Sequence, residues 1–393
     1  MWQASPEISS TGRDSAPAEV ITGKVLSVFG TRPEIIKFAP VLGELEESWP
    51  GLSTVNVCTS QHTDLAAPFL SEFNIRVDYD LDIMRPGQHL NQLLGRLIQA
   101  VDEVLEKEQP DFVLVQGDTS SALSGATAAF QRQIPVGHIE AGLRSGNPLS
   151  PFPEEMNRML IGQMAQAHFA ATERNRKTLL DEGIDPDGIF LTGNPVVDAV
   201  TKMTSRETES EALQQLLAAT DGSKRIILTA HRRENFAGAM AGYFEVLRDF
   251  LARHEDVSLI FPVHPNPNVR RITEEHLAGL DQVHLVDPMP YPEFIRLLSH
   301  AWLIVSDSGG IQEEAPTLRK PLLVIRENTE RPESVECGAA KLIGEEPEAL
   351  ARHLDSAYDD TGWRERLNEV VNPFGDGNSR RRIASAISKF LAA

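Results

Sequence analysis

Cysteine is nearly missing from this sequence, with only Cys58 and Cys337 among 393 residues. No disulfide framework or zinc-binding spacing can be built from two distant thiols, so a reducing cytoplasm is the expected compartment. Basic charge is also scarce: 37 Lys and Arg stand against 57 Asp and Glu, for a formal charge of −20. Nucleic acid and anionic membranes both require a positive footprint, so neither is expected as a partner. A phosphorylated small molecule fits only if cations are gathered locally against that background. Long apolar runs are absent too. Stretches such as LIVS and PLLVI fall far short of the roughly 20 residues that a spanning helix needs. The opening MWQASPEISSTGRDSAPAEVITG lacks a basic segment followed by an apolar core, and residues 1–23 read as a mobile tail rather than a signal peptide. There is no G-x-G-x-x-G after a strand, no G-x-x-x-x-G-K-[ST] and no H-E-x-x-H. No nicotinamide cofactor or ATP is therefore signalled, and no zinc-protease motif is present.

What is present is a globular composition, 41% hydrophobic and 24% charged, in a chain long enough for two domains. Short apolar, β-branched runs recur: KVLSVFG, STVNVCT, FVLVQGD, IPVGHIE and IFLTGN, then RIILTAH, VSLIFPVH, VHLVDP, WLIVSDSG and PLLVIRE. Segments with helical spacing lie between them, such as IIKFAPVLGELEE, LNQLLGRLIQAVDEVLEKE and YFEVLRDFLARHE. Buried strands alternating with helices predict an α/β fold with parallel sheets covered on both faces. The polar stretch TSRETESEALQQ separates two such sets and predicts a boundary near 190–210. Ligands bind outside the carboxyl ends of strands in such sheets, and clefts between domains are favoured pockets.

The polar residues of interest sit at those strand ends. In FGTRPEIIK, Thr31, Pro33 and Glu34 fit a helix start with a capping box. Arg32 does not, because the helix dipole disfavours a cation there. A bound anion would account for it, with Lys37 as a second contact one turn on. Asp118 in QGDTSS is either an N-cap or a chemical group. Glu140 closes the apolar run of HIEAGLRSGN, where desolvation is expected to raise its pKa towards one useful in proton transfer. Glu154 and Arg158 in PFPEEMNR stand four apart and are expected to share a helix face, as a simple ion pair or as part of a site. His231, in TAHRREN, follows a strand directly and is expected at the cleft lip. In IVSDSGGIQEEAP, the turn of Ser308, Gly309 and Gly310 outlines a phosphate cradle at a helix N-terminus, while Glu313 and Glu314 can be read as complementing the helix dipole. DYDLD, at 78–82, carries the D-x-D spacing of an oxygen-ligand metal site, although such runs are common on surfaces.

FGTRPEIIKFAP, YDLDIMRPGQ, QGDTSS, PVGHIEAGLRSGN, PFPEEMNR, AHRREN, PVHPNPNVR, DSGGIQEEAP, ENTERPE and NPFGDGN occur together and in order. This set resembles the bacterial non-hydrolysing UDP-N-acetylglucosamine 2-epimerases, from about residue 24 to the C-terminal end. The resemblance implies a GT-B type α/β fold, two Rossmann-like doubly wound domains around a central cleft. It divides the chain into a tail at 1–23, an N-terminal domain at 24–195 and a UDP-binding domain at 196–374, with a C-terminal helix at 375–393 returning to the first domain. It implies reversible conversion of UDP-GlcNAc to UDP-ManNAc without NAD or metal, in a cytoplasmic homodimer. By the family pattern Arg32, Ser308, Gly309, Gly310, Glu314 and Arg331 bind substrate, with Glu314 on the ribose hydroxyls. Asp118, Glu140, Glu154 and His231 carry the chemistry, and Lys37 and Arg158 bind or orient within the site. The chain departs from the pattern at Gln61, His62, Thr63 and Asp64, where many relatives read QHRE; in relatives that use a second UDP-GlcNAc as activator, residues of this block help to bind it. That puts such regulation in doubt here. Asn378 also departs, without an interpretation. Rival readings are a hydrolysing 2-epimerase, an enzyme for another UDP-2-acetamido sugar, a GT-B glycosyltransferase and a nucleotide-sugar sensor without turnover.

Overall fold

The computed structural model describes residues 21–59, 69–85, 87–205, 209–230, 239–263, 266–344 and 346–392. His231 and the block at 61–64 lie outside the described residues. The first sheet holds β1 Gly23–Phe29, β2 Leu52–Cys58, β3 Tyr79–Asp80, β4 Phe112–Gln116, β5 Val136–Ala141, β6 Ala167–Ala170 and β7 Ile189–Leu191. The second holds β8 Lys224–Thr229, β9 Val257–Pro262, β10 Val283–Val286, β11 Leu303–Ser306, β12 Leu322–Val324 and β13 Ala340–Leu342. Strand orders are β3-β2-β1-β4-β5-β6-β7 and β10-β9-β8-β11-β12-β13. All pairings are parallel.

The continuous Val, Ile and Leu runs become central strands because helices cover both faces of each sheet, as the α/β reading requires. Every run named from the sequence forms a strand. Three strands escaped it: Tyr79–Asp80, Ala167–Ala170 and Ala340–Leu342 are short and lack β-branched residues, and the first and last lie at sheet edges. The first of them overlaps the DYDLD motif. There Asp78 accepts the Asn56 N–H at 2.8 Å and pairs with Arg76 at 2.9 Å, so its carboxylate holds the sheet edge.

Both sheets reverse strand order beside their first strand, between β1 and β4 and between β8 and β11. Each reversal opens a crevice at the carboxyl ends, where a ligand is received. The helix Pro195–Thr204 follows the first sheet and packs Val196, Val197 and Val200 with Ile227, Ile260 and Leu322 of the second. The C-terminal helix Ser379–Leu391 does the reverse: Ile383, Ala384 and Ile387 enter the first core beside Phe112, Ile139 and Phe169. Asp198 accepts the N–H groups of Ser379 at 3.1 Å and Arg380 at 3.3 Å, closing the start of that helix. Gly193, at φ +80°, is needed at this junction, since a Cβ would lie 2.8 Å from Ser379 Oγ. Among the described residues no helix is long and apolar enough to cross a membrane, and Cys58 and Cys337 are not joined by a disulfide.

Candidate active site

The two crevices face one cleft of about 460 Å3, lined from the first half by Arg32, Glu34, Lys37, Gln116, Asp118 and Glu140, and from the second by Tyr291, Ser308, Gly310, Glu313, Glu314 and Arg331. Residues up to 300 positions apart in sequence meet there because both sheets present the carboxyl ends of their strands to it.

The turn after β1 starts the helix Arg32–Ser48 with Thr31 as N-cap and Pro33 in the first turn. The Glu34 carboxylate accepts the N–H of Thr31 at 2.7 Å and of Gly30 at 3.0 Å, and the Thr119 hydroxyl at 2.6 Å. The capping box is therefore present, and it also ties the β1 turn to the β4 turn. Burial pushes the Glu34 carboxyl up to about 7, although these donors pull it down. Arg32 points from the first helical position into the cleft, with its guanidinium 5.4 Å from the centre of the Phe69 ring. Among the described residues it makes no ion pair.

Asp118 does not cap the next helix. Thr119 does, its side chain accepting from Ala122, and Asp118 is left at the cleft wall, where it pairs with Arg158. Burial raises its carboxyl above the usual range; Arg158 pulls it down and Glu154 pushes it further up. Arg158 also pairs with Glu155 at 2.8 Å, so the expected Glu154–Arg158 pair is replaced. Glu155 lies inward on the helix Glu154–Met164 and reaches the guanidinium from three positions away. Glu154 is half-buried, outside the cleft lining, and acts on the site through its charge on Asp118.

Glu140 departs furthest from its sequence reading. It sits in β5 at φ +66°, in the left-handed region, where the β5–β6 register shifts. A non-glycine residue held there is strained, and such strain gathers at functional sites. One carboxylate oxygen meets Lys37 Nζ at 2.7 Å and, further off, Arg331 at 3.7 Å; the other accepts from the Gln116 amide. Burial alone would raise this carboxyl, as expected from the sequence. Lys37 and Arg331 outweigh it, so Glu140 lies below its ordinary pKa and stays ionised. Lys37, almost fully buried, is lowered by that burial and raised further by Glu140 and Glu313. Arg331, lowered by its burial, is held firmly charged by Glu313 and Glu140. Nearby, burial pushes His138 down to about 3. It is a neutral ring bonded to the Gly117 carbonyl at 2.7 Å, and supports the strand end without handling protons near neutrality.

On the opposite wall Ser308 is the N-cap of the helix Gly309–Leu318. Gly309 leaves room for the Arg331 guanidinium, whose Nη1 would lie 2.9 Å from a Cβ there. Glu313 and Glu314 fall beyond the first turn and do not serve the helix dipole. Glu313 pairs with Arg331 at 2.6 Å and with Lys37 at 3.0 Å. Glu314 accepts from the Tyr291 hydroxyl at 2.7 Å, and burial pushes its carboxyl up to about 7. Burial and Glu314 together hold the Tyr291 hydroxyl well above its ordinary pKa. Sequence reasoning missed Gln116, Tyr291 and the inward role of Glu313. Gln116 and Glu313 stand inside motifs already singled out, whereas Tyr291 stands in none. Among the described residues no group of three His, Cys, Asp or Glu could hold a metal ion.

A family profile described as UDP-N-acetylglucosamine 2-epimerase matches residues 44–388. The UDP-N-acetylglucosamine 2-epimerase of Yersinia pestis is 44% identical over 369 residues, 93% of this chain and 98% of the relative. That of Escherichia coli is 42% identical over 369 residues, with the same coverage. The crystal structure of the Neisseria meningitidis UDP-GlcNAc 2-epimerase bound to UDP-GlcNAc superposes with a TM-score of 0.86 at 41% identity, covering 93% of this chain and 100% of that one.

Proposed function

The chain belongs to the UDP-N-acetylglucosamine 2-epimerase family, and from that premise we propose that it interconverts UDP-GlcNAc and UDP-ManNAc by eliminating UDP and adding it back. The observation that carries this reading is the set of groups lining one cleft: an arginine that makes no ion pair among the described residues, a helix N-terminus, and an ionised, strained glutamate with a second carboxyl, Asp118.

The C2 proton of a 2-acetamido sugar is not adjacent to a carbonyl carbon, so a base alone has no stabilised enolate to form. The C1–O bond to the diphosphate must break first or at the same time, its electron pair leaving on the β-phosphate oxygen. Loss of the C2 proton to a carboxylate then leaves a C1–C2 double bond, giving 2-acetamidoglucal and UDP. Readdition of UDP with protonation on the other face of C2 inverts that centre. The balance closes without redox change, so NAD is not required. Arg32 and the N–H groups of the Ser308, Gly309 and Gly310 turn suit the departing diphosphate. Glu314 suits the ribose hydroxyls, and Arg331 completes the substrate set. Asp118 and Glu140 suit proton handling, because their surroundings push one carboxyl up and the other down, as an acid and base pair requires. Lys37 orients Glu140, Arg158 orients Asp118, and Glu154 raises Asp118. His231 is assigned to the chemistry, on the departing diphosphate, from the family pattern alone.

We also read residues 24–195 with the helix from 375–393 as one domain and 196–374 as the other, in a cytoplasmic protein with no need for a disulfide. The proposed partner is a second copy, since Met156, Met159 and Leu160 expose one apolar face of the helix Glu154–Met164 beside exposed Leu149 and Phe152.

Proton NMR in deuterated water with UDP-GlcNAc tests the reaction. UDP-ManNAc with deuterium at C2 in both sugars supports it. Free ManNAc with UDP points to hydrolysis, and absence of C2 exchange despite UDP binding points to another sugar or to a sensor.

A further inference from the structure

Glu313 is 1% exposed, yet neither capping nor direct substrate recognition accounts for it. Its carboxylate joins the two halves of the molecule. Oε2 meets Lys37 Nζ, from the first helix of the first half, at 3.0 Å. Oε1 accepts from Arg331 Nε, from the second half, at 2.6 Å. Both cations also face Glu140, Lys37 at 2.7 Å and Arg331 at 3.7 Å. The result is a closed ring of two carboxylates and two cations spanning the cleft, with Glu330 on the outer side of Arg331 at 3.4 Å. Removing one member of a buried ionic set leaves the others uncompensated, so such a ring holds its geometry cooperatively. The helix that carries Glu313 is also the one whose N-terminal turn lines the cleft, so a ligand seated on that turn acts on the same rigid element.

We propose that Glu313 is a positioning residue for the reaction set out above: by holding Lys37 and Arg331 together across the cleft, it fixes the Glu140 carboxylate for work at C2 and makes that alignment depend on closure of the two halves. This rests on the functional reading of the preceding subsection. Glu313 touches no reacting atom and acts through Lys37 and Arg331. Its neighbour Glu314 takes no part, since its partner is Tyr291.

The test compares E313Q and E313D with the native protein for turnover of UDP-GlcNAc and for UDP affinity by calorimetry. E313Q keeps the volume and an acceptor for Arg331 but loses the charge that balances the ring. Its kcat should fall by about 100-fold, the effect expected of a small misplacement of a reacting group, while UDP affinity changes by less than about threefold. E313D restores the charge and should recover at least about tenfold of that loss. Native-like kcat in E313Q overturns the inference, as does a parallel loss of turnover and UDP affinity, which would mark a structural role only. If E313Q does not fold, E313A, which also removes the charge, carries the test, and native kcat or weakened UDP binding in it is the overturning result. Absence of turnover in the native protein would remove the functional reading and this inference with it. Native turnover beside an unimpaired E313Q removes this inference alone.

Discussion

At the scale of single residues, the site works by setting similar groups in different surroundings. Two carboxyls within one cleft are moved in opposite directions: burial raises Asp118, whereas Lys37 and Arg331 overcome burial at Glu140. Glu140→Gln keeps the shape but removes the charge, and is expected to lower turnover by about 100-fold or more, the worth of a proton-transfer group. UDP affinity should remain near native in this variant, because the proposed diphosphate contacts are Arg32 and the Ser308–Gly310 turn rather than Glu140. Calorimetry beside a kinetic assay checks both, and native turnover would remove Glu140 from the chemistry. Arg32→Ala should do the converse and weaken UDP binding about tenfold, the order of one charge-assisted hydrogen bond. Unchanged affinity would leave Arg32 as a helix start and nothing more.

At the scale of elements, the strand-end turns are locked to one another as well as to their own helices. Glu34 caps its own helix and reaches Thr119 of the neighbouring turn, which sets the spacing between Arg32 and Asp118. Burial raises Glu34 from 4.5 to about 7 in the folded protein. Between those values the native state binds more protons than the unfolded chain. The stability that Glu34 contributes is therefore complete below pH 4.5 and is lost as pH rises through 7. Glu34→Gln does not titrate. Its stability relative to native is expected to climb by roughly 3 kcal/mol between about pH 4.5 and 8, measured by urea unfolding across that range. Other groups, such as the buried neutral His138, titrate equally in both proteins and cancel in the difference. A difference independent of pH would show that Glu34 is not raised.

At the scale of the whole molecule, closure of the cleft is held by contacts between the halves. Besides the ring through Glu313, the Thr172 hydroxyl donates to Glu333 at 2.7 Å, and Arg174 pairs with Glu336. The second pair is exposed and worth little, but the first leaves a buried carboxylate short of a donor if Thr172 is lost. Thr172→Val is expected to enlarge the radius of gyration in small-angle scattering without ligand, with saturating UDP restoring the native value. Equal radii without ligand would mean that this contact does not hold the halves together. The same scale separates what was legible in the sequence from what was not. Strand runs, helix periodicity and strand-end motifs are local patterns in the order of residues, so they determined the α/β class, the two parallel sheets and the candidates Arg32, Asp118, Glu140 and the Ser308–Gly310 turn. Short strands such as Ala340–Leu342 carried too little pattern to read, because neighbouring strands rather than propensity make them. Partner choice across the cleft is a matter of distance and shared burial, which sequence order does not encode. Only the tertiary structure could give Arg158 to Asp118 and Glu155, turn Glu313 inward, and hold Glu140 ionised against its own burial.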